Sequence, residues 1–404
     1  MSRLNVIFDD HLVGVLEHRA GELFFSYHDV WLNSVKCYPI SRALPLLSHT
    51  FDPEITKPFF VGLLPEYGIR EKIATNLGIS PDNDFQLLKA IGRDCAGALC
   101  ITAETISEVK NNQYEHLTTM QLSELLNQLD DQPLLIGRKG VQLSLAGIQN
   151  KLPVISRNGE IYLGLDGTPS THIIKPANPN FPDLVRNEYF CLQLARSCGL
   201  DAIDAQILPL QGTEALIVPR YDRKIVSGEI YRIHQEDFCQ ALSILPSCKY
   251  EIEGGPGFGR CIEMIRQNSS IPAIDTIKFV DAFFYSFLIG NRDAHGKNFS
   301  FLIERDNVRL APLYDIVCTE AYPRLDNTLA MSIGGVNNPI FIEAHHFNNA
   351  CKNAGLNTQL VKIRLKRLQD QVIKVCERMA HDDIAQSVLA RVRQNSRYLC
   401  DFTK

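Results

Sequence analysis

The run Asn291-Arg292-Asp293-Ala294-His295-Gly296-Lys297-Asn298, with Leu313-Tyr314-Asp315 a short stretch later, carries side chains suited to moving a phosphoryl group. Asp293 can accept the proton of an attacking hydroxyl. Asn298, five positions on, and Asp315 offer the amide and carboxylate oxygens that hard Mg²⁺ prefers. His295 and Lys297 lie between them and can donate to phosphate oxygens. Phosphoryl transfer asks a protein mainly to position reactants and neutralise charge, so these residue types suffice. An Asp with an Asn five residues on is common by chance, and a plain polar turn also favours Asn, Asp and Gly. Asp315 is harder to dismiss. It sits between Tyr314 and Ile316, directly after apolar chain, where an acidic residue usually has a partner or a metal.

The order of these residues is that of a protein-kinase catalytic loop followed by its metal-binding Asp. The surrounding elements fit the same order. Thr276 to Ile289 is apolar on nearly every face, which predicts a buried helix delivering the chain to Asp293. Phe299 to Ile303 and Val308 to Leu310 predict the hairpin ahead of Asp315. Upstream, Thr171-His172-Ile173-Ile174-Lys175 reads as a strand ending in a lysine, similar to the kinase Val-Ala-Ile-Lys strand whose lysine contacts ATP phosphates. Glu188, in a helix from about Leu184 to Cys198 stopped by Gly199, is a possible partner for Lys175. Strands near Ala205 to Leu208 and Ala215 to Val218 then run into Pro219-Arg220-Tyr221-Asp222-Arg223, beyond which the pattern turns mainly helical.

Neither a Walker A motif nor the usual kinase glycine-rich loop is present. The loop Ser144 to Lys151 precedes the lysine strand, and backbone N–H groups around Gly147 could cradle phosphate there. Gly254-Gly255-Pro256-Gly257-Phe258-Gly259 falls on the wrong side of that strand for a phosphate lid and reads as a structural turn or a loop flanking the site.

At 404 residues the chain has room for two or three domains. Its 45% hydrophobic and 22% charged content is that of a globular protein. A net charge of −5 argues against generic nucleic-acid binding. The 12 cysteines form no Cys-x-x-Cys pair, which fits reduced, buried thiols. No apolar run reaches the length of a membrane span, and the N-terminus reads as a strand, so a cytoplasmic location with no membrane partner is expected. The first hundred or so residues read as a small mixed domain. Leu4 to Phe8, Leu12 to Leu16 and Leu23 to Tyr27 are its apolar runs, and a helix covers Phe85 to Ile91. The polar stretch Glu108 to His116 predicts a linker, after which Thr119 caps a helix with Leu122, Leu125, Leu126 and Leu129 on one face. Helices are also expected over Thr358 to Met379 and Asp383 to Tyr398. The boundaries that result are 1–107 for the N-terminal domain, 108–134 for a linker and helix, 135–222 for a β-rich lobe and 223–404 for a helical lobe.

Taken in order, Ser144 to Lys151, Thr171 to Lys175, Asn187-Glu188-Tyr189, Tyr221-Asp222-Arg223, Gln235-Glu236-Asp237, Gly254 to Gly257, Asp293 to Asn298 and Tyr314-Asp315-Ile316 resemble the HipA family of bacterial serine/threonine-kinase toxins. Ile91 to Ala98 is similar to that family's N-terminal domain, so nearly the whole chain is covered. The resemblance implies an α+β, protein-kinase-like two-lobed fold with an extra small N-terminal α/β domain. It implies ATP and Mg²⁺, with Asp293 as base, Asn298 and Asp315 as metal ligands and Lys175 as the ATP-binding lysine. The backbone of Ala146, Gly147, Ile148 and Gln149 corresponds to the phosphate loop, Tyr221 to the adenine hinge, and Ser144 to a serine that autophosphorylates and thereby inactivates the enzyme. It further implies a HipB-like helix-turn-helix antitoxin, DNA contact mainly through that antitoxin, and an aminoacyl-tRNA synthetase substrate, glutamyl first. Asn150 and Pro219 depart from the acidic residues expected at those positions, and the stretch from Lys175 to Asn187, an activation segment in the family, is short. Two other readings remain open. One is a small-molecule kinase of the same fold. The other is a silent corepressor bound to the antitoxin, with Lys362, Arg364, Lys366 and Arg367 as a basic face.

Overall fold

The computed structural model describes residues 2–105, 113–147 and 149–403. Contacts divide the chain into two compact units, neither continuous in sequence. The first takes in 1–176, 208–246 and 302–308; the second takes in 177–207, 247–301 and 309–404.

The first unit holds two antiparallel sheets. β1 (Ser2–Phe8), β2 (His11–Arg19), β3 (Glu22–Tyr27), β4 (Thr50–Phe51) and β5 (Leu99–Thr102) assemble in the order β4-β3-β2-β1-β5. The apolar runs read from sequence are the first three strands. Ala20 and Gly21 take φ values of 49° and 89° in the tight turn between β2 and β3, which matches the natural twist of a hairpin. Helices Pro53–Val61 and Asp84–Ile91 belong to the same unit, and Phe25 stacks on Phe51 and packs against Phe60 in its core.

The second sheet consists of β6 (Gln113–Leu117), β7 (Leu152–Arg157), β8 (Glu160–Leu165), β9 (His172–Pro176), β10 (Gln206–Leu210) and β11 (Thr213–Pro219), ordered β10-β11-β9-β7-β8-β6. Here the linker expectation needs correction: within 108–116, residues 108–112 lie outside the described residues, and Gln113–Leu117 is an edge strand paired with β8. Its polar composition suits an edge, where side chains meet water. The next helix, Thr119–Gln128, is capped by Thr118 and not Thr119, through a capping box with Gln121. Lys175 pairs with Leu216 in the register of β9 and β11, and Pro219 pairs with His172. Beyond β11 the chain is not yet helical. Arg223–Val226 and Glu229–Arg232 form a hairpin, followed by a strand at His234–Asp237. Ser227 and Gly228, with φ values of 52° and 86°, make the turn. The Ser-Gly pair between β-branched and aromatic residues carried that signal.

The second unit is built on the helix Pro272–Ile289, in which every residue from Phe279 to Ile289 is buried. It starts four residues earlier than Thr276, with Pro272 in its first turn. Helices Phe258–Asn268, Thr358–Met379 and Asp383–Thr403 pack on it. Phe258 lies 4.6 Å from Phe283 between ring centroids, and Phe279 lies 5.0 Å from Phe299. Asp275 is the one acid in the first turn of the helix. It accepts from Ser269 at 2.6 Å, from Arg309 at 3.1 and 3.2 Å, and from the Leu310 N–H at 3.0 Å. Those bonds fix the end of the hairpin's second strand, Asn307–Leu310, to the start of the buried helix. At the other end, Gly290 takes φ 76° and stops the helix, and a Cβ there would meet Glu320 at 2.8 Å.

Candidate active site

The buried helix ends at Ile289, and the catalytic turn begins two residues later, so its backbone is anchored by a large apolar core. The Asn291 side chain accepts the Asp293 N–H at 3.0 Å. The Asn298 side-chain NH₂ donates to the Asp293 carbonyl at 2.8 Å. An amide whose NH₂ is bound in this way points its oxygen elsewhere, which is the orientation a cation ligand needs. Tyr314 then ties the second acidic segment to the turn: its hydroxyl donates to the Lys297 carbonyl at 2.7 Å and lies 2.7 Å from the Ser300 hydroxyl. Asp315 follows with φ 54°, a left-handed conformation uncommon for a residue with a side chain.

The chain after Asp315 is held from two sides. The Asn187 side chain donates to the Cys318 carbonyl at 3.1 Å and accepts the Cys318 N–H at 2.8 Å. Thr319 accepts the Arg292 N–H at 2.8 Å, and the buried Arg292 guanidinium pairs with Glu320. Burial lowers Arg292 to about 10, which leaves it charged at neutral pH. Glu188, next to Asn187, is buried in the same unit.

His295 is buried, and desolvation together with the Lys249 ammonium lowers it to about 3. It is therefore a neutral ring, set edge-on to Tyr250 at 5.2 Å. Its Nε2 is 3.9 Å from the Asp293 carboxylate, beyond hydrogen-bond reach. Lys297 is also buried. The sequence reading missed Lys249 and Tyr250: the Tyr250 hydroxyl donates to Asp293 Oδ1 at 2.6 Å. The glycine-dense segment beyond them is the structural turn expected. Gly255 donates to the Tyr250 carbonyl at 2.8 Å, and a Cβ on it would stand 2.5 Å from the Lys249 carbonyl. Only glycine lets the chain fold back that closely.

In the first unit, Lys175 is buried on β9. The loop before it has Gly147 at φ 109°, with the Gly147 carbonyl accepting from Glu66 N at 3.2 Å and the Ala146 carbonyl from Lys151 Nζ at 2.5 Å. Ile148 lies outside the described residues, and Gln149 is half-buried. Asn150 donates to Asp130 at 2.6 Å. Ser144 is fully buried: its hydroxyl donates to the Leu63 carbonyl at 2.8 Å and its N–H to the Asp94 carbonyl at 3.2 Å. After β11, Tyr221 donates to Gln235, and Arg220 N donates to the Thr171 carbonyl at 2.8 Å.

Asp94 joins these pieces; its segment, Ile91 to Ala98, stood out in the sequence, but its partners did not. Its carboxylate accepts from Ser170 N at 3.1 Å, Ser170 Oγ at 2.6 Å, Arg220 at 3.2 Å and Arg223 at 2.8 Å. Arg220 also grips Asp222 with two bonds at 3.0 and 2.8 Å, and Gly97 N donates to Asp222 at 2.7 Å. Ser170 ahead of the lysine strand, the segment Arg220–Arg223 and the start of the loop at Ser144 are thus held by one buried ion cluster.

Among the described residues no group of three or more His, Cys, Asp and Glu is arranged to hold a metal. Mg²⁺ usually takes only one or two protein carboxylates and completes its shell with phosphate and water. The basic face expected on Thr358–Met379 is partly paired within the chain. Arg364 binds Asp281 at 2.6 Å, Lys366 binds Asp370 at 2.8 Å and the Lys362 ammonium lies 5.1 Å from the Phe402 ring centre. Among the described residues no helix is long and apolar enough to cross a membrane.

Sheet, buried lysine, apolar helix, Asp–Asn turn and left-handed Asp define an α+β protein of the protein-kinase-like fold. Family models match over 4–102, the HipA N-terminal domain, and over 143–380, the HipA-like C-terminal domain; the chain belongs to the HipA family. It is 39% identical over 386 residues to Y4mE of Sinorhizobium fredii, a protein named as a kinase, with 94% of this chain and 92% of that one covered. It is 30% identical over 389 residues to the serine/threonine-protein kinase toxin HipA of Shewanella oneidensis, covering 91% and 87% of the two. The solved complex of Shewanella oneidensis HipA with HipB and operator DNA contains a chain similar to this one at a TM-score of 0.85. Sequence identity there is 26%, and 99% of each chain is covered.

Proposed function

We infer that this chain is a Mg²⁺- and ATP-dependent serine/threonine protein kinase acting as the toxin of a HipA/HipB-type pair. The observation that carries the reading is the catalytic turn: Asp293 half-exposed, with Asn298 locked to its carbonyl and Tyr314 holding the Asp315 segment to the same turn. Asp293 would accept the proton of a substrate hydroxyl, and Asn298 and Asp315 would hold the ion. Lys175 would meet the nucleotide phosphates with Glu188 as its partner, the backbone of Ala146 to Gln149 would cradle them, and Tyr221 would stand at the adenine. Lys297 would add positive charge. His295, neutral and buried, suits packing or a single N–H donation better than charge neutralisation.

The likeness to the Shewanella toxin, and to the chain held with HipB and operator DNA, supports a HipB-like antitoxin as partner, with DNA reached mainly through it. The substrate proposed is an aminoacyl-tRNA synthetase, glutamyl first, in the cytoplasm, with arrest of translation and persistence as the consequence. Arg364, Lys366 and Arg367 are exposed, so the corepressor reading keeps its basic face, although Arg364 and Lys366 pair with Asp281 and Asp370. Self-inactivation at Ser144 requires its buried hydroxyl to leave Leu63 and the loop to swing out. The added phosphate, about −1.5 to −2 in charge, would then keep that loop from returning. The same burial favours one second reading, a small-molecule kinase that never phosphorylates itself.

Mass spectrometry after incubation with ATP, Mg²⁺ and a glutamyl-tRNA synthetase tests this, beside Asp293→Asn. Phosphate on the synthetase and on Ser144, absent with the variant, is the expected result. ATP turnover without phosphate on either protein would replace the protein kinase by the small-molecule reading.

A further inference from the structure

Tyr250 belongs to none of the motifs that define the site, yet its hydroxyl lies 2.6 Å from Asp293 Oδ1. The contact is built from several directions. The Lys249 carbonyl accepts the Gly296 N–H of the catalytic turn at 3.4 Å, and the Tyr250 ring stands edge-on to His295, with 80° between the ring planes. Behind it, Gly255 N donates to the Tyr250 carbonyl at 2.8 Å and Glu251 N to the Ala330 carbonyl at 3.0 Å. The Glu251 carboxylate accepts the Ser332 N–H. The phenol is thus fixed before any substrate arrives.

A carboxylate side chain rotates about two bonds and carries two oxygens, each able to accept more than one hydrogen bond. Asn291 and Asn298 hold the Asp293 backbone, but neither bond restrains its carboxylate. Tyr250 does so through one oxygen, while the Asp293 side chain keeps 43% of its surface exposed. We propose that Tyr250 is a positioning residue for phosphoryl transfer, fixing the orientation of the Asp293 carboxylate through its hydrogen bond to Oδ1. This rests on Asp293 being the base. A phenol that instead plugged the hydroxyl's place would make the same contact and have the opposite effect on rate, so the sign of the rate change decides.

The experiment is ADP formation from Mg²⁺-ATP, with water as acceptor, by wild type, Tyr250→Phe, Tyr250→His, Asp293→Asn and the Tyr250→Phe/Asp293→Asn double variant. Because Tyr250→Phe removes one oxygen atom, its melting temperature should stay close to that of wild type. Expected is a kcat lower by about tenfold with an unchanged KM for ATP, since misplacing a reacting group costs rate and not binding. Tyr250→His, which can still donate, should recover part of the rate. In the Asp293→Asn background the loss should vanish, as for residues acting through one another. An unchanged or faster Tyr250→Phe, a change confined to KM, or an equal loss in the Asp293→Asn background overturns the proposal alone. Asp293→Asn turning over as fast as wild type overturns the base assignment and this inference with it.

Discussion

Asp94 and Asp293 are both carboxylates held by hydrogen bonds, and the two regions use them in opposite ways. Asp94 is fully buried and receives two bonds from Ser170 and one each from Arg220 and Arg223, with Arg232 3.9 Å away. Burial alone would push its carboxyl up; Arg220, then Arg223 and Arg232, and the Ser170 hydroxyl pull it down to about 2. Asp293 keeps 43% of its side-chain surface, with a phenol on one oxygen. A carboxylate surrounded by fixed cations is permanently ionised and fully engaged, so it organises structure. One with a phenol on one oxygen and 43% of its side-chain surface exposed can still be reached by another molecule. The geometry of donors, and not the residue type, separates scaffold from chemistry.

The comparison can be broken most forcefully at Asp94. Asp94→Asn leaves Arg220 and Arg223 with Asp222 as the carboxylate between them, and breaking such a buried network costs about 3–5 kcal/mol. Chemical denaturation should show that loss, with the segment Arg220–Arg223 and the loop carrying Ser144 loosened together. Acid gives the same test without mutation. Asp94 titrates below its ordinary value of 3.8, so its contribution is complete above that pH and is lost as pH falls through about 2. Wild type should therefore lose stability steeply over that window, and Asp94→Asn should lose less.

Glu236 supplies an intermediate case. It is buried, and although the Ser41 hydroxyl and Arg42 lower it, desolvation prevails and raises it to about 7 from 4.5. The folded state then holds a proton that the unfolded state has released, so stability declines as pH rises from 4.5 to about 7. Glu236→Gln should flatten that decline in thermal melts taken across the range. The smallest effect is expected at Ser144. Ser144→Ala removes a donor to the buried Leu63 carbonyl, about 1 kcal/mol, and leaves no hydroxyl there to phosphorylate.

The helix, the turn carrying Asp293 and Asn298, and the hairpin were legible because they are close in sequence. The apolar helix, Asp293, Asn298 and the hairpin before Asp315 follow one another, and helix periodicity and turn chemistry act over such distances. The ion cluster was not legible, since Asp94, Ser170, Arg220, Asp222 and Arg223 meet only through the folding of distant segments. Tyr250 was hidden for the same reason, although the glycines after it marked a chain that turns back sharply. The hairpin Arg223–Val226 and Glu229–Arg232 was missed despite its Ser-Gly turn, because the helical segments further on dominated the pattern. Thr118 in place of Thr119 as the helix cap is an error of one residue, the scale on which capping side chains compete.

Asp293→Asn, with melting and Mg²⁺-ATP turnover measured on one preparation, tests the division of labour most directly. A half-exposed carboxylate that serves chemistry predicts a melting temperature near that of wild type and turnover lower by about 10²–10⁴-fold, the usual contribution of a general base. Turnover like that of wild type, or a collapse in melting like the one expected for Asp94→Asn, would contradict it.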